Sequence, residues 1–397
     1  MIKSISLFFC GVFFSTAAFA LSPALPKHGK YGLINTNGDV VAELIYDWIG
    51  PFASNGLAPV RMNGRAGYVN SRGEEAIPLK FDDVEGFSES GLAGVVVSGK
   101  KGYINASGSY VISPQDAWAG IHDEVFNQTR FASNGLAAAQ EVGQRLPKWG
   151  YIDLHGDWVI KPQFLRASAF DANGFARVSR GEHIELIDQT GRKVFNTDFA
   201  GLGTFAANGL APARLDNQWG YIDRTGRFVI SPQFSLAWGF GADSPDGLTK
   251  VCGDEDCGYI DASGKFQWKY AKNELTIHGY ANGFVQVQDT RNAHWGFVNL
   301  QGEVSVKAEF ESAGLFSSQG LAAVRKEGLC GYINSHGEFV IPPAFAQAGE
   351  FSSQGLAVAQ KAGKWGYIDI KGRTAIAFKF DGAEAFNIWG LAVVEVF

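Results

Sequence analysis

Apolar and polar positions along the chain follow a pattern that returns about every 35 residues from Lys30 onward. Each return contains a Gly, replaced once by Glu185, then a bulky residue that is mostly Tyr, and then Ile or Val, as in Gly366-Tyr367-Ile368. Successive residues of a strand face opposite sides of a sheet, so two adjacent apolar residues require cover on both sides. The pattern predicts short β-strands sheltered by neighbouring repeats.

The polar positions that follow these strands are equally regular. Asp or Asn comes three residues after the motif Gly, and a second Gly comes three residues later. Examples are Asp153 with Gly156, Asp223 with Gly226 and Asp369 with Gly372. This spacing is typical of a type I turn that ends on a left-handed Gly. Calcium binding is the alternative, but half of the ten positions are Asn, and each acid stands alone without the dense acidic spacing of a calcium loop.

Each repeat continues with an apolar pair that is often followed by Pro, then with two aromatic residues, and then with Gly-Leu-Ala or a variant. The sequence therefore predicts an all-β fold: a tandem array of about ten three-stranded antiparallel meanders. A single meander is too small to be stable in water, so the units must stack. The units begin near residues 30, 65, 100, 148, 183, 218, 256, 294, 329 and 364.

The ends of the array leave two architectures open. The first unit begins on its Trp-Gly strand and the last ends on its Gly-Leu-Ala strand, so these strands could pair and close a propeller-like ring. Ten units exceed the usual four to eight propeller blades. An open, twisted β-solenoid is therefore preferred, with the closed ring as the alternative. Residues 115–130, with Trp118, His122, Asp123 and Glu124, are predicted to form a surface insertion.

The N-terminal segment is typical of a secretory signal peptide. Lys3 precedes an apolar run over residues 5–14, and Ala18 and Ala20 are small residues at the cleavage positions. A membrane anchor is the competing interpretation, but the run is short for a span. The predicted organisation is a signal peptide at 1–20, a short lead at 21–29 and the repeat array at 30–397. The destination is the periplasm, the cell surface or the extracellular space, with at most a peripheral membrane contact.

Composition narrows the classes of function. The 397 residues carry a net charge of −6, and no Lys/Arg-rich run gives the electrostatic footprint of a nucleic-acid-binding protein. The sequence contains no catalytic or cofactor-binding motif, so we expect no enzyme activity and no cofactor.

Cys252 and Cys257 flank a predicted hairpin tip and could form a disulfide in an oxidising compartment. Two free thiols or a metal site are the alternatives.

The core Trp-Gly-Tyr-Ile-Asp, as in residues 365–369, closely resembles the WG (KWG) repeat family of bacterial secreted and cell-surface proteins. The resemblance covers about 30–397. It implies a repeat scaffold for interactions with other molecules, without specifying which. Trp itself occupies the motif position only at Trp149, Trp219, Trp295 and Trp365.

Three functions are compatible with this resemblance. The first choice is a non-enzymatic scaffold for an unknown protein partner, because extended arrays offer long surfaces. The alternative is binding of a cell-wall glycan through stacking on Trp149, Trp219, Trp295 and Trp365, which requires these rings to be exposed. The third is a purely structural component of the envelope. The four rings could instead belong to the core between repeats.

Overall fold

A computed structural model describes residues 29–115, 131–140, 148–181, 183–195, 199–241, 247–271 and 274–397. All regular secondary structure in these ranges is β-strand. The predicted signal peptide and the inserted residues Trp118, His122, Asp123 and Glu124 lie outside the described residues.

The strands are short, and all are numbered here in chain order. They are β1 (Lys30–Asn35), β2 (Val40–Tyr46), β3 (Trp48–Ile49), β4 (Leu57–Met62), β5 (Arg65–Asn70), β6 (Glu75–Phe81), β7 (Asp83–Val84), β8 (Ala93–Val97), β9 (Lys100–Ile104), β10 (Tyr110–Gln115), β11 (Ala137–Gln140), β12 (Trp149–Ile152), β13 (Trp158–Phe164), β14 (Arg166–Ala167), β15 (Ala176–Ser179), β16 (Ile184–Ile187), β17 (Gly201–Leu202), β18 (Ala211–Leu215), β19 (Gln218–Ile222), β20 (Phe228–Phe234), β21 (Leu236–Ala237), β22 (Thr249–Cys252), β23 (Asp256–Ile260), β24 (Phe266–Ala271), β25 (Leu275–Ala281), β26 (Phe284–Asp289), β27 (Trp295–Asn299), β28 (Val304–Phe310), β29 (Ser312–Ala313), β30 (Ala322–Lys326), β31 (Leu329–Ile333), β32 (Phe339–Phe345), β33 (Gln347–Phe351), β34 (Leu356–Lys361), β35 (Lys364–Asp369), β36 (Thr374–Phe380), β37 (Gly382–Ala383) and β38 (Leu391–Val396).

These strands form ten small sheets in the described residues, eight of four strands and two of three. The sheets are β3-β4-β5-β6, β7-β8-β9-β10, β11-β12-β13, β14-β15-β16, β17-β18-β19-β20, β21-β22-β23-β24, β25-β26-β27-β28, β29-β30-β31-β32, β33-β34-β35-β36 and β2-β1-β38-β37. The predicted all-β repeat array is confirmed.

The sequence missed one strand of most units. A two-residue strand such as β17 precedes the Gly-Leu-Ala strand and pairs with it, with Gly201 opposite Arg214 and Leu202 opposite Ala213. Two residues are too few to show the alternation that identifies a strand. The predicted three-stranded meander therefore gains a fourth strand in eight of the ten sheets, and this strand has two residues in six of them.

The chain divides into two compact units. Among the described residues, the first unit comprises those within 29–49, 71–74 and 267–397, and the second unit comprises those within 50–70 and 75–266. Within each unit, neighbouring sheets share apolar clusters. Tyr221 and Ile230 of one sheet pack with Phe240 and Val251 of the next in the second unit.

The Tyr-Ile strand carries this packing. Tyr221 and Ile222 are both completely buried, as the paired apolar pattern predicts. The Tyr221 ring lies 5.2 Å from the Phe240 ring, and its hydroxyl donates to the carbonyl oxygen of Trp238, 2.7 Å away in the next sheet. The same bond to a carbonyl 17 residues later is made by Tyr68, Tyr151, Tyr332 and Tyr367. Each tyrosine thus fills the core and ties two sheets together.

The first and last strands of the chain lie in one sheet of the first unit. β1 pairs antiparallel with β38, with Lys30 opposite Val396 and Asn35 opposite Leu391. This pairing is the one expected for the closed, propeller-like alternative, and the preference for an open solenoid is wrong. The physical reason is that an open array leaves the backbone groups of its two end strands unpaired, whereas this pairing satisfies them.

Candidate functional site

The predicted turn residues bond to their own turns. Asp223 accepts hydrogen bonds from the backbone N–H groups of Thr225 and Arg227, at 2.8 and 3.1 Å. The Thr225 hydroxyl, and after it these two N–H groups, hold the pKa of Asp223 below its ordinary value. Asp153 and Asp369 accept the same two backbone bonds in their turns. Gly156, Gly226 and Gly372 have φ of 87°, 83° and 76°, in the left-handed region.

These carboxylates do not come together. Each carboxylate accepts hydrogen bonds within its own turn. The described residues contain no group of three or more His, Cys, Asp or Glu that could hold a metal ion. In the same ranges, no helix has the length and apolarity needed to span a membrane.

The cysteines of the hairpin β22–β23 are joined. Cys252 and Cys257 form a disulfide between directly paired positions, with their Cα atoms 3.9 Å apart, and both are buried. Cys257 occupies the position that Trp219 has in the preceding repeat, where Trp219 pairs with Arg214. Cys330, at the same motif position in another repeat, is buried and belongs to no disulfide.

The four motif tryptophans are not an open row of rings. Trp149 and Trp295 are only 7% exposed, and Trp219 and Trp365 are half-buried. Each has a long polar residue opposite on the neighbouring strand; Arg214, for example, lies over the Trp219 ring at 5.7 Å. A sugar needs an exposed ring face to stack on, so these positions fit the core between repeats better than a glycan ladder.

The exposed tryptophans lie elsewhere. Trp48, Trp238 and Trp389 are 38%, 44% and 42% exposed, and none occupies the motif position. The repeated motif does not point to them, because they lie outside the position where Trp recurs. What marks such residues in the sequence is departure from the repeat: a large apolar residue at a position where the other repeats carry a small or polar one.

Ile388 and Trp389 form the clearest such departure in the first unit. They occupy the middle of the turn before β38, and Ile388 is 84% exposed. Asn387 closes this turn by accepting from the N–H groups of Trp389 and Leu391, and its carbonyl accepts from Gln354 of the neighbouring turn at 3.1 Å. The corresponding pairs elsewhere are small or polar: Ser54-Asn55, Glu89-Ser90, Ala207-Asn208, Ser318-Gln319 and Ser353-Gln354.

The chain shows weak likeness to several solved structures. A eukaryotic initiation factor is 10% identical over 79% of this chain and 95% of that chain, with a TM-score of 0.47. The extracellular domain of the one component system BT4673 from B. thetaiotaomicron is 12% identical over 88% of this chain and 58% of that chain, with a TM-score of 0.27. PorZ, a bacterial surface component of the type-IX secretion system of Porphyromonas gingivalis, is 11% identical over 81% and 44%, with a TM-score of 0.26.

Comparison with curated proteins gives no match. The WG containing repeat, in contrast, matches eight segments that together span well over half of the chain. They are residues 31–65, 67–100, 149–182, 186–219, 219–244, 295–330, 331–365 and 365–396. The chain therefore belongs to the family of proteins built from the WG containing repeat.

Proposed function

We propose that the chain is an exported, non-enzymatic scaffold that binds a protein partner through apolar side chains that depart from the repeat. The exposed pair Ile388 and Trp389 carries this proposal. Large apolar residues gain the most from burial in an interface, and Trp is enriched among residues that dominate binding energy. A turn that only closes its sheet needs neither side chain, since the other repeats close theirs with small or polar residues.

Two further observations support a scaffold. The recurring Tyr and Trp side chains pack between the sheets. The exposed side chains that vary between repeats therefore lie in the turns and at the strand ends. The predicted carboxylates at Asp153, Asp223 and Asp369 cap their own turns. Export is proposed from the sequence of residues 1–20 alone.

A photocrosslinking experiment tests the proposal in the source cells. A benzophenone amino acid replaces Ile388 in the full chain, and the same replacement at Val304, which is 68% exposed on an outer strand, is the matched control. We expect a discrete adduct from position 388 that protease removes, and none from position 304. Equal adducts at both positions would contradict the proposal, and an adduct removed by glycosidase but not by protease would favour the glycan alternative.

A further inference from the structure

One backbone hydrogen bond identifies equivalent positions in neighbouring sheets. The residue after the short strand donates its N–H to a carbonyl of the next strand, as Gly203 does to Pro212 at 2.8 Å. Trp238 makes the same bond to Lys250 at 3.1 Å. The other pairs with this bond are Gly50 with Pro59, Glu85 with Gly94, Ser168 with Arg177, Gly314 with Ala323, and Glu384 with Val393. Trp238 with Lys250 is the pair that places an aromatic ring beside an ammonium.

The two side chains lie together on one face of the sheet. The Lys250 Nζ is 5.0 Å from the centre of the Trp238 ring, and the ring remains 44% exposed. Leu236, two residues before Trp238 and so on the same face, is 50% exposed. A Cβ on Gly239, the residue after Trp238, would meet no atom within 4 Å.

The charge of Lys250 is not balanced within the described residues. Burial lowers the pKa of its ammonium, and no hydrogen bond or ion pair from it to a carboxylate is present among those residues. Two other cations that reach the short strands are partnered: Arg177 donates to the Leu202 carbonyl at 3.1 Å, and Lys101 pairs with Glu85 at 2.7 Å. A carboxylate beside a partly buried ammonium stabilises its charge, so Lys250 offers an acidic partner a favourable position.

We propose that Leu236, Trp238 and Lys250 form a docking site for a protein segment that presents a carboxylate beside a large apolar side chain. The carboxylate pairs with Lys250, and the apolar side chain covers Trp238 and Leu236. A protein segment fits better than a sugar, since two apolar side chains and a single charged donor suit an apolar group with one acid. This site deepens the proposed function, on which it rests, by naming the chemistry of a partner.

Selection from a random dodecapeptide library displayed on phage tests the site. The full chain is the target, and the double variant Trp238→Ala with Lys250→Ala removes peptides that bind elsewhere. We expect enriched peptides with Asp or Glu next to Phe, Leu or Trp. Their affinity should fall at least tenfold for Lys250→Ala, survive in Lys250→Arg, and be unchanged in Val159→Ser, an exposed apolar control in the same unit.

The outcomes separate this site from the proposed function. Failure to enrich any peptide that distinguishes the wild type from the double variant would overturn the site, as would enriched peptides without an acid. Binding of an acidic oligosaccharide such as oligogalacturonate that requires both Trp238 and Lys250, with no such peptide, would replace the protein segment with a sugar. An adduct at position 388 together with a failed selection would remove this site and leave the scaffold proposal standing.

Discussion

The sheet of residues 201–234 and the hairpin of residues 236–260 follow each other in the second unit and use the same register. Leu202 pairs with Ala213 in the first, and Ala237 pairs with Val251 in the second. The buried tyrosine strand recurs in both. The residues of one cross-strand pair differ: Gly203 lies against Pro212 in one sheet, where a Cβ would come within 2.6 Å of the Pro212 ring, whereas Trp238 lies against Lys250 in the other. The frame, meaning the paired strands and the buried tyrosine, is therefore repeated, and the chemistry of this pair changes from one repeat to the next.

The largest expected effect separates the frame from the added site. Tyr221→Ala removes a completely buried ring and its bond to the next sheet, so we expect the free energy of unfolding to fall by about 3–5 kcal/mol. Trp238→Ala, at an exposed ring, should cost less than about 1 kcal/mol. Urea unfolding of the two variants measures the difference. Equal losses would mean that Trp238 belongs to the core.

The next effect concerns the turn of the frame. Gly226→Ala places a methyl group at a φ of 83° and 2.7 Å from the Phe195 ring, so we expect a loss of about 2–3 kcal/mol from backbone strain and overpacking together. Gly209→Ala is the matched control, because its φ is 80° but its nearest neighbour atom is 4.0 Å away. Its loss, about 1–2 kcal/mol, should reflect strain alone. Urea unfolding that gave a larger loss for Gly209→Ala would refute the contact with Phe195.

A third effect concerns the disulfide, which stands where the preceding repeat pairs Arg214 with Trp219. Replacing Cys252 and Cys257 together by Ser opens a loop of about six residues, which the chain-entropy relation values at about 2 kcal/mol. Dithiothreitol should shift the urea midpoint of the wild type to that of the double variant and leave the variant unchanged. A wild type indifferent to dithiothreitol would show that the bond does not stabilise the hairpin.

The smallest expected effect is a gain in the free energy of unfolding. Lys250→Met removes an ammonium whose pKa burial lowers, so stability at pH 7 should rise slightly. Below the folded-state pKa both states hold the proton and the penalty is complete. As pH rises through that pKa towards 10.5, the folded state releases its proton first and the penalty disappears. The advantage of Lys250→Met over the wild type in urea unfolding should therefore vanish at high pH.

A stabilising change that abolishes peptide binding would identify Lys250 as a residue kept for function at a cost in stability. If Lys250→Met neither stabilises the chain nor weakens binding of the enriched peptides, Lys250 is an ordinary strand residue. The contrast with Pro212 then has no functional meaning.

The sequence predicts the frame well because each repeat restates it. The Tyr-Ile pair shows a strand covered on both faces, and the spacing from Asp223 to Gly226 shows the turn. The short strand β21 is beyond such prediction, since a two-residue strand has no period. The pairing of β1 with β38 was available from the sequence as an alternative, but the repeat pattern alone does not choose between it and an open array. The burial of the motif position also cannot be predicted from the repeat pattern. Whether Trp149 is exposed depends on Gln140 opposite and on the next sheet.

The candidate site was missed for a related reason. Trp238 and Lys250 are separated by an intervening segment, and neither is unusual in a β-rich chain when viewed singly. Trp238 stands out when the repeats are aligned, because Gly203, Gly314 and Gly349 stand in its place elsewhere. Lys250 becomes notable only with its partner, since Arg177 shows that a cation at that position can be satisfied within the fold.

Hydrogen exchange of the full chain, with and without an enriched acidic peptide, compares the two regions in one experiment. Added protection should be confined to the backbone around Leu236, Trp238 and Lys250, while the equivalent Gly203 and Pro212 region and the Tyr221 strand exchange as before. Protection spread evenly over the tyrosine strands of many repeats would contradict the separation of frame and site, and so would protection that persists in Lys250→Ala.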